Sequence, residues 1–303
     1  MKRFGDWLFG QPYILLTLTT LFWAGNALVA RAMAAELPPV GLAFWRWTLA
    51  FLILLPICGR QMLEDWPIVR RNWPIVVLLS ILGVSCFNTM LYLSLQDIAA
   101  LNAALQQSTM PIWVAVISLI LFRERLGTWQ ALGILVSLFG VLIVLLQGRL
   151  EDLLTLTIGR GDLWALAAVI CYAGYSVLLR LKPAGFRPLS FVGLTFLIGN
   201  LLLLPFYLWE TFALDQPMPV TLPAAASVIY VALLPSILAY LFWNRGMEIL
   251  GANRGGIFIH LVPAFVAVGS VTLLDENPQL YHLAGVAFIL IGIRLSARKR
   301  PDS

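Results

Sequence analysis

Charge is scarce in this chain. Asp, Glu, Lys and Arg make up 12% of its 303 residues, half of the about 25% usual in soluble domains. Hydrophobic residues reach 60% and mean hydropathy is +0.89. Too few polar side chains remain to face water, so the solvent for most of the chain is lipid. Histidine is reduced to two residues and cysteine to three. Cys58, Cys86 and Cys171 lie in or at the ends of apolar runs, and no two have metal-ligand spacing. They read as small core residues, which leaves no disulfide framework and no metal cofactor. No cofactor of any kind is implied. There is no P-loop, no H-E-x-x-H and no G-x-S-x-G, and no paired carboxylates lie inside the apolar runs. These gaps argue against ATP hydrolysis and against an intramembrane enzyme. The net charge of +5 does not point to nucleic acid, because the basic residues do not gather on one amphipathic face.

What is present is apolar sequence in lengths that match a bilayer. A spanning helix needs about 20 such residues. Ten runs qualify: 12–33, 39–58, 73–93, 99–121, 127–147, 161–180, 188–209, 222–244, 253–274 and 280–297. The first is too long for the core of a signal peptide and reads as a retained helix. Ten crossings put both termini on one side. That side collects Lys2, Arg3, Arg60, Arg70, Arg71, Arg123, Arg125, Arg180, Lys182, Arg187, Arg245, Arg254, Arg294, Arg298, Lys299 and Arg300, which is 16 of the 20 basic residues. The opposite side has Arg31, Arg149 and Arg160, and Arg46 is left inside a run. The positive-inside rule makes the first side cytoplasmic. Trp7, Trp66, Trp73, Trp129, Trp164 and Trp209 fall near run ends, as an aromatic belt places them.

The chain also repeats itself. At a shift of 149, WAGNALVAR (23–31) falls on YAGYSVLLR (172–180), and Pro56 and Pro74 fall on Pro205 and Pro223. At a shift of 152, Pro111, Glu124, Gly133 and Gly140 fall on Pro263, Glu276, Gly285 and Gly292. The expected fold is an all-α membrane protein of ten transmembrane helices, built from two five-helix repeats, 1–148 and 149–303. Five is odd, so the second repeat enters the membrane from the other side. Inverted repeats of this kind suit carriers with a midplane site.

The stretch 111–144 reads P-x12-E-x8-G-x6-G and recurs over 263–293. With WAGNALVAR and the arginine of the second run, it resembles the EamA-type family of the drug/metabolite transporter superfamily over nearly the whole chain. The resemblance implies a bacterial inner-membrane carrier, an exporter of amino acids, some of them aromatic, or of other small metabolites. Where the first repeat has Arg123-Glu124-Arg125, the second has Asp275-Glu276-Asn277-Pro278, in keeping with its location on the other side.

Twelve residues are the expected substrate contacts: Trp23, Asn26, Arg46, Asn88, Tyr92, Gln107, Ser108, Trp113, Tyr172, Tyr175, Tyr240 and His260. Pro111 and Pro263 kink their helices, and the carbonyls they free need protein or water partners. Gln106, Gln107, Ser108 and Thr109 precede one kink and His260 the other, with Ser108 and His260 as repeat equivalents. They are expected to meet across the pseudo-two-fold axis, either as cavity lining or as hydrogen bonds between helices. His260 is the one histidine deep in a run (His282 falls at a run end), either a proton site or a neutral hydrogen-bonding group. Arg46 either snorkels to the outer surface or attracts an anionic group such as a carboxylate. The deep aromatics Trp23, Trp45, Trp47, Trp113, Trp243, Tyr92, Tyr172, Tyr175 and Tyr240 suit an amphipathic substrate or ordinary packing. Helices 1, 3, 4, 6, 8 and 9 are expected to enclose the site. Glu124 and Glu276 are expected to cap helix starts, and Gly133, Gly140, Gly285 and Gly292 to allow close helix packing. The implied partners are the lipid bilayer and a small-molecule substrate, not nucleic acid. A monomer suffices, since one chain holds both repeats.

Overall fold

A computed structural model describes residues 7–146, 159–273 and 280–296. Glu276 and its neighbours 274–279, Arg149, the basic residues at both ends, the 148/149 repeat boundary and the His282 side chain lie outside the described residues. Among the described residues there is helix and no strand. In chain order the helices are α1 Pro12–Ala32, α2 Pro39–Arg71, α3 Trp73–Asp97, α4 (Ala100–Gln107 and Met110–Phe122) and α5 Thr128–Leu145. Then follow α6 Arg160–Leu181, α7 Pro188–Phe212, α8 Leu222–Leu250, α9 (Ala252–Gly255, Gly256–His260 and Leu261–Leu273) and α10 Leu280–Ser296. Seven segments within the described residues are long and apolar enough to cross a membrane by length and composition; Met110–Phe122, Thr128–Ile143 and Leu283–Ser296 are shorter apolar helices.

Prolines open many of these helices. Pro12, Pro39, Pro74, Pro188 and Pro223 sit in the first turns, where the missing N–H has no intrahelical partner to lose. α2 is longer than its apolar run. At 33 residues it measures about 50 Å at 1.5 Å per residue, more than the about 30 Å of hydrocarbon. Its last turns are polar and helical because α7 holds them. Arg187 donates to Asp65 Oδ1 (2.6 Å), Glu64 Oε2 (2.7 Å) and the Gln61 carbonyl (3.0 Å). Those carboxylates raise the guanidinium's pKa above its ordinary value. At the other end of the same helix pair, Glu210 of α7 accepts from Val40 N (3.0 Å) and Gly41 N (2.6 Å), capping α2.

The packing has a two-fold pattern. α5 packs on α10 and α2 on α7, while α1–α8 mirrors α6–α3 and α1–α9 mirrors α6–α4. The corresponding helices run antiparallel. Gly41, Thr48 and Cys58 of α2 meet Glu210, Asn200 and Leu189 of α7. A Cβ on Gly133 would lie 2.6 Å from the Gly292 carbonyl, and one on Gly140 2.6 Å from the Gly285 carbonyl. The four glycines therefore let α5 and α10 touch backbone to backbone. Helix distortions recur at the 152 shift. Ile81–Cys86 in α3 and Leu233–Leu238 in α8 are both π-helical. α4 breaks at Ser108–Thr109, and the equivalent part of α9, Gly256–His260, winds as a 3-10 helix.

Glu124 does not cap α5. Its Oε1 accepts from Arg180 Nη2 at 2.6 Å, and the Gly127 N–H goes to Gln130 Oε1 instead (2.9 Å). The carboxylate pairs instead with the arginine across the loop, which offers a full opposite charge. Trp7, Trp66, Trp73 and Trp209 are exposed, as belt residues are.

Candidate functional site

The site grows from a proline. Pro235 has no N–H to offer the Val231 carbonyl one turn back. Ser236 Oγ donates to that carbonyl at 2.6 Å, within the π-turn of α8. The same oxygen accepts from Arg46 Nε at 2.8 Å. Arg46 is fully buried. Its Nη1 meets Asn26 Oδ1 (3.2 Å), Asn88 Oδ1 (2.6 Å) and the Tyr92 hydroxyl (2.5 Å). Its guanidinium carbon lies 4.6 Å from the Trp47 ring centroid, a cation–π contact. None of these partners is acidic, and Nη2 has no hydrogen-bond partner. A full positive charge thus sits in the core, bonded to neutral dipoles, with both N–H groups of Nη2 unused.

The polar group continues through α3 and α8. Asn88 Nδ2 donates to the Tyr240 hydroxyl at 3.3 Å, which donates to the Gly83 carbonyl in the α3 π-turn. The Tyr92 hydroxyl donates to Asn26 Oδ1 at 2.7 Å. A similar pair lies nearer the other end: the Tyr175 hydroxyl donates to Asn244 Oδ1 at 2.8 Å. Asn26 and Tyr175 are repeat equivalents, and so are Tyr92 and Asn244. The same tyrosine–asparagine bond therefore occurs in both halves with the residue types exchanged.

Rings pack beside this group. Trp23 lies 5.1 Å from Tyr172 and 4.9 Å from Trp243, and Tyr172 lies 4.3 Å from Phe87 and 5.1 Å from Tyr175. Tyr240 joins this cluster to Trp47 (5.3 Å) and Phe196 (5.5 Å). Trp23 Nε1 donates to the Pro235 carbonyl (3.3 Å) and Trp243 Nε1 to Ser176 Oγ (3.1 Å), so each buried indole has its one polar group satisfied.

Eight of the twelve expected residues therefore gather in one place: Trp23, Asn26, Arg46, Asn88, Tyr92, Tyr172, Tyr175 and Tyr240. The other four belong to α4 and α9. Ser108 and His260 do meet: His260 Nε2 donates to the Ser108 carbonyl at 2.7 Å. The broken α4 leaves that carbonyl free, since Ile112 N turns to Thr109 instead. His260 Nδ1 is bonded to Ser137 Oγ of α5. With Nε2–H donating, Nδ1 accepts, and the neutral ring is satisfied on both sides. Gln107 is buried with its Nε2 unpartnered. Trp113 is half-buried against the core. Trp45, expected to be deep, is 40% exposed and bonds the Tyr207 hydroxyl. The enclosing helices are α1, α2, α3, α6, α7 and α8 rather than a set containing α4 and α9. Five participants went unread in the sequence, among them Asn244 and Ser176. Ser236 carries a signal, a serine directly after a proline inside an apolar run; Phe87 and Phe196 carry none.

A cleft of about 290 Å³ opens at the Arg180 end. Ser176, Arg180, Lys182, Asn244, Met247 and Glu248 are among its lining. It reaches the Tyr175–Asn244 and Trp243–Ser176 bonds, which lie between it and Arg46. At the opposite end Arg31 Nη1 ties α1 to α3 through the Leu95 (2.8 Å) and Gln96 (3.2 Å) carbonyls.

An apolar helical bundle with a buried polar centre and a cleft at one end has the build of a multi-pass membrane carrier. The chain belongs to the EamA-like transporter family, whose model matches it twice, over residues 11–146 and 159–298. It is 26% identical over 283 residues to the uncharacterized transporter YyaM of Bacillus subtilis, covering 93% of this chain and 92% of that one. It is 25% identical over 287 residues to a probable terminal-alkyne amino-acid exporter of Streptantibioticus cattleyicolor, covering 94% and 92%. A crystal structure at 20% identity superposes with a TM-score of 0.74 over 94% of this chain and 97% of that one, which shows the fold alone.

Proposed function

We propose that this transporter is a bacterial inner-membrane secondary carrier that exports amino acids or closely similar small metabolites by alternating access. In this reading the chain crosses the membrane ten times as two inverted repeats, 1–148 and 149–303, with both termini in the cytoplasm. The antiparallel α2–α7 and α5–α10 pairs and the distortions recurring at the 152 shift support the inversion. The excess of basic residues at the Arg180 end makes that end cytoplasmic.

The observation that carries the reading is Arg46, a buried cation with neutral partners and a free Nη2. A buried charge without a counter-ion is costly, and a substrate carboxylate relieves that cost with a charge-assisted bond. When the carboxylate takes the guanidinium, Asn88 Oδ1 and the Tyr92 oxygen lose their donor and Asn26 Oδ1 keeps only the Tyr92 hydroxyl. They are then the acceptors an α-ammonium needs. Trp23, Tyr172, Tyr175 and Tyr240 offer an apolar wall to the side chain. Gln107, Ser108, Trp113 and His260 stand farther along the path, on α4 and α9. The probable terminal-alkyne amino-acid exporter among the relatives agrees with this substrate class. His260, bonded at both nitrogens, favours facilitated transport over proton coupling.

The test is uptake of radiolabelled methionine, threonine, phenylalanine and tryptophan, each separately, into proteoliposomes holding the purified chain, with and without a pH gradient. Saturable uptake is expected, unchanged by the gradient. Arg46→Gln removes a charge-assisted bond of about 1.5–3 kcal/mol. It should lower uptake by about tenfold or more, since 1.4 kcal/mol is a factor of ten. No uptake of any amino acid by folded protein overturns the substrate class.

A further inference from the structure

The last residue of each repeated WAGNALVAR-like stretch is an arginine, Arg31 in α1 and Arg180 in α6. The two are treated differently. Arg31 reaches across to α3 and donates to the Leu95 and Gln96 carbonyls at 2.8 and 3.2 Å. The repeat equivalents of Leu95 and Gln96 are Met247 and Glu248 of α8. Arg180 does not reach them. It turns away to Glu124 Oε1 (2.6 Å) and lies over the Phe122 ring, 4.3 Å from its centroid. The space a mirrored Arg180 would cross is the cleft of about 290 Å³, lined by Arg180, Met247 and Glu248 themselves. Across it, Lys182 stands at 4.0 Å from Glu248, at the edge of ion-pair range. The arginine that fastens its helix to the neighbouring one lies at the end away from the cleft, where the hollow of about 480 Å³ between α2, α7 and α8 takes no lining from the α1–α3 seam; the arginine turned aside lines the cleft itself.

From this asymmetry we infer that Arg31 and Arg180 are reciprocal clasps of the carrier. Arg31 fastens α1 to α3 when the cleft opens at the Arg180 end. In the opposite state Arg180 leaves Glu124, bonds the Met247 and Glu248 carbonyls, and closes α6 on α8, while Arg31 releases α3. Glu124 is the rest that holds Arg180 off. The exchanged Tyr92–Asn26 and Tyr175–Asn244 bonds lie deeper on the same helix pairs, and both are made here, so the asymmetry is confined to the arginines at the helix ends. Arg31, Arg180 and Glu124 act as positioning residues, because none touches the Arg46 group. The inference rests on the alternating-carrier reading, but not on which solute is carried.

It is tested without substrate. Spin labels are placed at exposed helix ends, Leu181→Cys with Ile249→Cys across the cleft and Ala35→Cys with Gln96→Cys at the other end. The background has Cys58, Cys86 and Cys171 replaced by serine, and the protein is in lipid nanodiscs. Adding Arg31→Gln should lengthen the Ala35–Gln96 distances and shorten the Leu181–Ile249 distances. Glu124→Gln should shift both pairs the same way, by freeing Arg180. Arg180→Gln should do the reverse and hold the cleft open, and Arg31→Lys should stay nearer the parent distribution than Arg31→Gln. Distances unmoved by Arg31→Gln, or moved alike by Arg31→Gln and Arg180→Gln, overturn the proposal. If the cysteine-free background does not fold, hydrogen exchange on the otherwise native chain reads the same change. Arg31→Gln should then raise exchange at 95–97 and lower it at 247–250, and uniform change at both ends overturns it. Opposed shifts combined with no amino-acid uptake would keep the clasps and discard the substrate class.

Discussion

At the scale of single residues, the site depends on one serine that serves two partners. Ser236 gives its hydrogen to the Val231 carbonyl and its lone pair to Arg46. Ser236→Ala leaves a buried carbonyl and a buried guanidinium N–H each short of a bond. Unsatisfied buried groups cost about 1–3 kcal/mol. We expect a lower melting temperature in detergent and a larger fall in substrate affinity than Ser190→Ala gives, since Ser190 bonds Asp65 and the Gln61 carbonyl (3.4 Å), away from the Arg46 group. His260 should behave differently. His260→Gln disturbs the bonds to Ser108 and Ser137 and should lower thermal stability without altering how uptake responds to pH. A pH profile that changes shape in this variant would restore His260 as a proton site. Arg46 was legible in the sequence because a permanent charge stands out in an apolar run. Ser236 was not, because its value comes from the backbone gap beside it. Neither was the difference between Trp45 and Trp47. Both are equally deep along α2, but one faces out toward Tyr207 and the other stacks on Arg46.

At the scale of helices, the apolar runs marked most boundaries to within a few residues. The exceptions have physical causes. α2 ran on to Arg71 because Arg187 ties its polar turns to α7, a contact 122 residues away in the chain. α4 broke at Ser108–Thr109, before Pro111, rather than kinking smoothly. The glycine face of α5 and α10 was legible from spacing alone, and it supplies a clear test. In Gly140→Val, new side-chain atoms would meet the Gly285 carbonyl and Ile289 N, 2.6 and 2.9 Å from a mere Cβ. Overpacking typically costs about 1–3 kcal/mol. With backbone on both sides the pair must part, so folded yield after size-exclusion chromatography should drop sharply. Gly174→Val, whose Cβ would find only Leu82 Cδ1 at 3.5 Å, should be milder.

At the scale of the whole molecule, the main helix pairings join one repeat to the other: α5 to α10, α2 to α7, α3 to α6 and α1 to α8. A half alone would leave those faces without partners. Residues 1–146 and 159–303 expressed separately should not accumulate as folded protein, while co-expressed halves should purify together; a stable, monodisperse half would contradict this. The repeat that foretold the architecture could not foretell its asymmetry, because which end is open depends on which of two equivalent arginines is engaged. The solitary charge of Arg46 has a further consequence, an electrical one. In the alternating-access reading water reaches it from one side of the membrane at a time, so each reorientation would move a positive charge through part of the transmembrane voltage. A full unit charge feels about 2.3 kcal/mol per 100 mV. Over a complete cycle Arg46 returns to its starting point, and only the charge of the solute is transported. The voltage therefore does not power the carrier through this residue, but it sets where the empty carrier rests. In the proposed reading an interior-negative cell would draw it toward the cytoplasm, where an exporter must wait to be loaded.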